Sequence, residues 1–428
     1  MKIYKNPARS RWGGLCARPA KPPRALDAVV AEVFDKVAAK GDEALKAYTR
    51  RFDGVSIDKV AMPAGQVERL AGRVSPDLRR AIDQAYENIR KFHQSQEPTP
   101  RESIETFPGV LCWRERRAIE RVGLYVPGGS APLVSTVLML GVPAQLAGCQ
   151  AITLCTPPTP DGTVGPAICY AALKIGATTV VRVGGIQAIA ALAIGTESVG
   201  RVDKIFGPGN QYVTAAKQYA ASNARTAIDM PAGPSEVLVV ADGLADPEFV
   251  ASDLLSQAEH GPDSQAVLLT DDYVLARAVK KAAARQLKTL PRSEITGQAL
   301  SGSFCVVFDS IGLALEFSNA YAPEHLILAM RKAGSYVNKV SSAGSVFVGD
   351  YSPVTAGDYA SGTNHTLPTD GWARSSSGVS LDSFVKQVTF QKLTRKGLSG
   401  LAPTITVLAQ AEGLEAHARS VRLRLEEI

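Results

Sequence analysis

A chain of 428 residues is too long for one ordinary hydrophobic core, so two or three domains are expected. With 45% apolar and 21% charged residues, and no low-complexity tract or short repeat, it is excluded from the disordered, fibrous and solenoid classes. The formal charge of +6 is spread thinly, and its densest basic cluster (Arg114, Arg116, Arg117, Arg121) is broken by Glu115 and Glu120, which is no footprint for nucleic acid.

Along the chain, residues 1–24 carry Lys2, Lys5, Arg9 and Arg11 without the apolar run of a secretory signal, and export is not expected. Residues 25–95 show helical spacing, as in Val29, Val30, Val33, Phe34 and Val37, then Ala81, Ile82, Ala85 and Ile89. From Arg121 short apolar runs end in glycine: Val122 to Val126 before Pro127-Gly128-Gly129, Thr179 to Val183 before Gly184-Gly185, and Lys204 to Phe206 before Gly207-Pro208-Gly209. Ile152 to Cys155 adds another strand. Strand, tight turn and helix in repetition predict a parallel sheet with crossover helices.

The uncharged stretch from Val122 to Pro160 is broken by prolines and glycines, and reads as buried core rather than a membrane span. A second series of strands follows at Val237 to Val240, Ala266 to Leu269, Cys305 to Phe308, Leu326 to Leu328 and Ser345 to Val348. Pro247 to Ala258 and Asp272 to Leu287 are helices between them. Ser352 to Ser377 is dense in turn-forming residues and predicts a long functional loop. Helical spacing returns around Leu401 to Leu425. The fold class expected is therefore α/β, with two Rossmann-like parallel-sheet modules and small N- and C-terminal units.

Six cysteines without a CxxC pair predict reduced thiols in a cytoplasmic protein. Cys149 and Cys155 sit in apolar surroundings, which suits packing rather than catalysis.

Histidine placement carries the chemistry. Gln257 and His260, three apart at a predicted helix end, can face one point beside the stop signal Gly261-Pro262. Taken alone, His260 serves equally as a helix C-terminal cation. Glu324 and His325 are an adjacent acid and imidazole at the start of a strand, able to move protons near neutral pH. Asp358 and His365 lie on glycine-flexed backbone, and Glu412 and His417 in the tail. Imidazole, amide and carboxylate without thiolate form a donor set suited to catalytic zinc. The dinucleotide fingerprint GxGxxG is absent; Gly207-Pro208-Gly209-Asn210-Gln211-Tyr212 lacks its third glycine, leaving glycine-lined strand ends suited to a phosphate-bearing ligand.

These strings together resemble the histidinol dehydrogenase family from about Val29 to the C-terminus. The likeness rests on Val122-Gly-Leu-Tyr-Val-Pro-Gly-Gly-Ser-Ala-Pro132, Gly184-Gly-Ile-Gln-Ala-Ile-Ala-Ala-Leu-Ala193, Lys204-Ile-Phe-Gly-Pro-Gly-Asn210 and Asp229-Met-Pro-Ala-Gly-Pro-Ser-Glu236. Ser256 to Ser264, Pro323-Glu-His-Leu326 and Gly357 to Pro368 complete it. Ile186 stands where the family often has alanine.

The resemblance implies zinc held by Gln257, His260, Asp358 and His417, with the substrate's imidazole and amino nitrogens completing the shell. It implies a substrate pocket of Ser235, Gln257, His260, His325, Asp358, His365, Glu412 and His417, and NAD contacts from Tyr125, Gln187 and Asn210. The implied reaction oxidises L-histidinol to L-histidine through a bound aldehyde, with two NAD and one water. His325 would be the general base and Glu324 the activator of water. A homodimer that exchanges C-terminal tails is implied as well. The division expected is an arm of residues 1–24, a first α/β domain of 25–121 with 237–380, an NAD-binding domain of 122–236, and a tail unit of 381–428. A zinc hydrolase using Glu324-activated water, or an enzyme for a related amino alcohol, stays open beside this reading.

Overall fold

Strands rich in Val, Ile and Leu on both faces need helices on both sides, and this chain builds two parallel sheets of that kind. The computed structural model describes residues 1–18, 25–97, 103–128, 133–230 and 233–426. Residues 19–24 of the arm, residues 129–132 of the glycine-rich string after Tyr125, and residues 231–232 of the string before Glu236 lie outside the described residues.

The larger sheet has six strands in the order Lys2–Lys5, Phe304–Val307, Gln265–Thr270, Glu236–Ala241, His325–Ala329 and Ser345–Val348, all parallel. The smaller has five, Thr179–Val181, Ala151–Cys155, Arg121–Tyr125, Lys204–Phe206 and Ala227–Ile228, also all parallel. In each, the earliest crossover strand is central and the chain works outward first to one side and then to the other. That reversal leaves a crevice at the central pair of strands.

Three findings differ from the sequence reading. The arm is not separate: Lys2–Lys5 is an edge strand of the larger sheet, and Trp12 is buried in edge contact with Phe308 and Phe317. The helices of residues 25–94 pack on the smaller sheet's layer, not on the 236–348 sheet with which they were grouped. Val30, Val33 and Val37 share a core with Ala188, Ile189 and Leu192, and Ile82, Ala85 and Ile89 share one with Val137 and Leu138. Alanine-rich Gly185–Ile194 offers a shallow surface into which the branched side chains of Ala25–Lys40 close.

Thirdly, Ser103–Phe107, Val110–Ala118 and Val385–Leu393 form a three-stranded antiparallel sheet absent from the sequence reading. Its charged run (Arg114, Glu115, Arg116, Arg117) lies on the central strand, where residues beyond Val110 are exposed or half-buried. The tail continues as helices Arg395–Ala411 and Glu415–Leu425. Phe384, fully buried and stacked on Phe206 with ring centres 4.0 Å apart, fixes the start of this unit to the smaller sheet.

The uncharged stretch contains Val134–Ala147, buried continuously from Ser135 to Ala144. Among the described residues no helix is long and apolar enough to cross a membrane. All six cysteines are free, and burial pushes the Cys155 and Cys169 thiols up, consistent with packing roles.

Candidate active site

Tyr125 ends the central strand Arg121–Tyr125, and Gly207 to Asn210 leave its neighbour Lys204–Phe206, so both stand at the carboxyl edge of the smaller sheet where strand order reverses. Gly207, at φ 134°, lies where a Cβ would strike the Tyr125 carbonyl oxygen; only glycine allows the two strand ends to come this close.

The larger sheet supplies its groups from the opposite edge. Ser235 and Glu236 open the strand Glu236–Ala241, while Glu324 and His325 open His325–Ala329 beside it. Pro247–Ala258 begins at an Asp246 cap, whose side chain accepts the Glu248 N–H at 2.7 Å. It runs back across the sheet and delivers Gln257 and His260 to the same amino edge. A cleft of about 1280 Å³ between the two edges is lined by Tyr125, Gln187 and Asn210 from one side and by Ser235, Gln257, His260, Glu324 and His325 from the other.

Asp358 and His365 also line this cleft. The predicted loop is partly ordered as a helix, Val354–Tyr359, which carries Asp358. Gly357 lets that helix lie on the sheet, since a Cβ there would stand 2.7 Å from the Phe347 ring. His365 Nδ1 is 2.9 Å from the Asp358 carbonyl oxygen and Nε2 is 3.3 Å from Thr136 Oγ1. Burial lowers the His365 pKa against the pull of Asp358.

Backbone groups of Glu236 hold both residues of the acid–imidazole pair. Its N–H donates to Glu324 Oε2 at 2.7 Å, and its carbonyl oxygen is 3.0 Å from His325 Nδ1. His325 Nε2 is buried without a hydrogen-bond partner, with Asp358 Oδ1 3.8 Å away. Burial pulls the His325 pKa down, but the Glu324 carboxylate, 3.4 Å from Nδ1, and Asp358 outweigh it and raise it to about 9.

Gln257 is 1% exposed, and both its amide oxygen and nitrogen are buried without partners. A buried amide with neither group satisfied is costly unless something bound in the cleft completes it. Among the described residues no three His, Cys, Asp or Glu side chains cluster as metal ligands. Gln257, His260 and Asp358 share the cleft, whereas Glu412 and His417 do not line it and are exposed on the tail.

On the other side, Tyr125 Oη accepts the Gly185 N–H at 3.2 Å, and burial raises its pKa to about 12, so the phenol keeps its proton. Asn210 caps Gln211–Asn223 by accepting from the N–H groups of Tyr212 and Val213 at 3.1 and 3.2 Å, which leaves its NH₂ as the group free to reach a ligand.

A family model described as histidinol dehydrogenase matches residues 16–425. The chain belongs to the histidinol dehydrogenase family. Proteins named histidinol dehydrogenase from Vibrio parahaemolyticus and Bacteroides thetaiotaomicron are each 49% identical over 428 residues, covering all of this chain and 98% and 100% of their own lengths. A crystal structure of histidinol dehydrogenase from Elizabethkingia anophelis is 54% identical with a TM-score of 0.96, over 99% of this chain and 98% of that one. As a member of the histidinol dehydrogenase family, the chain is an NAD-dependent oxidoreductase of histidine biosynthesis, as the resemblance implied.

Two groups at this histidinol dehydrogenase site escaped the sequence reading. Arg18 donates from Nε and Nη2 to the two carboxylate oxygens of buried Glu236 at 3.0 and 2.8 Å, and stands 3.6 Å over the Tyr321 ring. Thr136 is the second. Glu236 next to Ser235 was a visible signal, a carboxylate opening a run of Val and Leu; nothing near Arg18 in sequence pointed to its partner.

Proposed function

We propose that this cleft oxidises L-histidinol to L-histidine through a bound aldehyde, consuming two NAD and one water. The observation that carries the reading is the acid–imidazole pair held by the Glu236 backbone, in one cleft with Gln257, His260 and Asp358. Zinc fits the last three: amide oxygen, imidazole and carboxylate are its catalytic donor set, and Gln257 has no protein partner to lose. When bound, zinc orients the amino alcohol and NAD takes up one hydride in each half-reaction.

His325 takes the alcohol proton at Nε2. Glu324 takes a proton from the water that adds to the aldehyde, and His325 takes one from the resulting hydrate. Ser235 and His365 line the substrate's side of the cleft, and Tyr125, Gln187 and Asn210 the NAD side. His417 of a second copy would join the residues that hold zinc, and Glu412 of that copy would complete the substrate contacts. Support for a homodimer with exchanged tails is their place on an extended unit that also exposes Val407, Leu408, Leu414 and Leu423. The histidinol reaction is assigned to the cytoplasm, in keeping with six free thiols.

The test is NADH formation by purified protein supplied with histidinol, before and after chelation. Two NADH per histidinol, lost on chelation and restored by zinc, is expected. Metal-dependent turnover without NAD would overturn the reading in favour of a hydrolase.

A further inference from the structure

Adjoining the open cleft at Glu324 is a second, smaller cavity of about 90 Å³. Pro208, Gly209, Ser235, Glu324 and His365 line both, so the two spaces adjoin along these residues. A water needs only about 10–15 Å³ of such space, together with two or more polar partners. The cavity has room for more than one.

Its walls are mixed, with polar groups set beside Met230 and Leu367. Lys217 and Asp229, 5% and 1% exposed at their side chains, are ion-paired there. Lys217 Nζ gives one proton to the Gly207 carbonyl oxygen at 2.8 Å, and the Asp229 pairing uses a second, which leaves a third donor. Thr366 lines the same cavity, is 5% exposed, and its Oγ1 has no hydrogen-bond partner among the described residues. Buried hydroxyls are rarely left unpaired, because the desolvation is not recovered. Glu324 commits Oε2 to the Glu236 N–H, and among the described residues no hydrogen bond occupies Oε1.

We infer that this cavity is a water-binding site that supplies the hydrolytic water of the second half-reaction, with Thr366 and Lys217 holding water against Glu324. The inference rests on the proposed histidinol reaction and adds to it where the water waits. Supply from this adjoining cavity has a chemical reason: in the proposed reaction the open cleft must take both substrate and dinucleotide. Glu324 Oε1 accepts one proton of the water as its oxygen bonds to the aldehyde carbon, and the carbonyl π pair moves to oxygen. His325, which holds the proton taken from the alcohol, gives it to that oxygen, which completes the hydrate and leaves the imidazole neutral again. The hydrate then loses a hydride to the second NAD and a proton to His325, yielding the carboxylic acid.

The test separates the two hydride transfers in a single turnover of the zinc-loaded dimer with histidinol and NAD. Thr366→Val removes the hydroxyl at constant shape, and Thr366→Ile fills the space. In both, the first NADH should form at the wild-type rate and the second about tenfold more slowly, as loss of one hydrogen bond to the reacting water implies. Thr366→Ser should restore the second step. Equal slowing of both steps, or of neither, overturns the inference, as does a rise in Tm in Thr366→Val, which marks a dry cavity relieved of an unpaired hydroxyl. A high-resolution crystal structure of the wild-type protein gives a check that needs no variant: ordered water within hydrogen-bonding reach of Thr366 Oγ1 supports the site, and a dry cavity removes it. A wild-type protein that makes no NADH from histidinol removes the functional reading and this inference with it.

Discussion

His325 Nδ1 faces the backbone carbonyl oxygen of Glu236 at 3.0 Å, and this contact decides which imidazole nitrogen does chemistry. A carbonyl only accepts, so Nδ1 carries the proton and the unpartnered Nε2 is the base in the neutral ring. His325→Asn should therefore slow alcohol oxidation by about 100-fold or more, the usual worth of a positioned general base, while bound zinc stays stoichiometric. Metal analysis beside the rate checks this; loss of zinc would make His325 a ligand.

Glu324→Gln keeps an oxygen to accept the Glu236 N–H and loses the ability to take a proton. The aldehyde-to-acid half should fall by about 100-fold and the alcohol-to-aldehyde half far less. Rates measured with the aldehyde supplied directly decide it, and equal losses would refute the division of labour.

The His325 pKa of about 9 gives a pH dependence with a definite sign. Its folded value lies above the unfolded one, so its charged form stabilises the metal-free protein fully below pH about 6.5, and that contribution is lost as pH rises through about 9. Melting curves of metal-free protein should show this loss, and Glu324→Gln should blunt it. As a base, His325 works only when neutral, so activity rises with pH. A cation on Asp358 removes part of the upward pull, and the limb in the zinc-loaded enzyme should fall below the metal-free titration of His325 followed by NMR. Coincident titrations would show that Asp358 does not bind the metal.

Arg18 reaches the active pair through Glu236. Because the ion pair is buried, at 6% and 1% side-chain exposure, Arg18→Ala leaves a carboxylate unpaired and should cost about 3–5 kcal/mol of stability. Denaturant midpoints give the number. Within the protein that remains folded, kcat should fall more than KM changes, because the Glu236 backbone holds Glu324 and His325, the proposed proton-transfer groups. An unchanged midpoint would mean that the pair contributes nothing net.

The shared-site proposal has a complementation test. Inactive His260→Ala and inactive His417→Ala subunits are mixed so that dimers exchange. If tails cross, each mixed dimer contains one site with both defects and one with neither, and about half the wild-type activity per mixed dimer should return. No recovery at any ratio would place His417 in its own chain's site.

The sequence alone determined the two sheet series, because parallel strands buried on both faces read as unbroken runs such as Val237 to Val240, and glycines mark where they end. It also placed Glu324 beside His325, and Gln257 three residues from His260 at a helix end, local relations that survive any packing. Only the tertiary structure decided that the carboxyl edge of one sheet faces the amino edge of the other, bringing Tyr125 and Asn210 into one cleft with His325. The partnership of Arg18 with Glu236, 218 positions apart, belongs there too, as does the antiparallel sheet pairing Val110–Ala118 with Val385–Leu393. Such contacts depend on which surfaces exclude water together, and spacing along the chain carries no record of that.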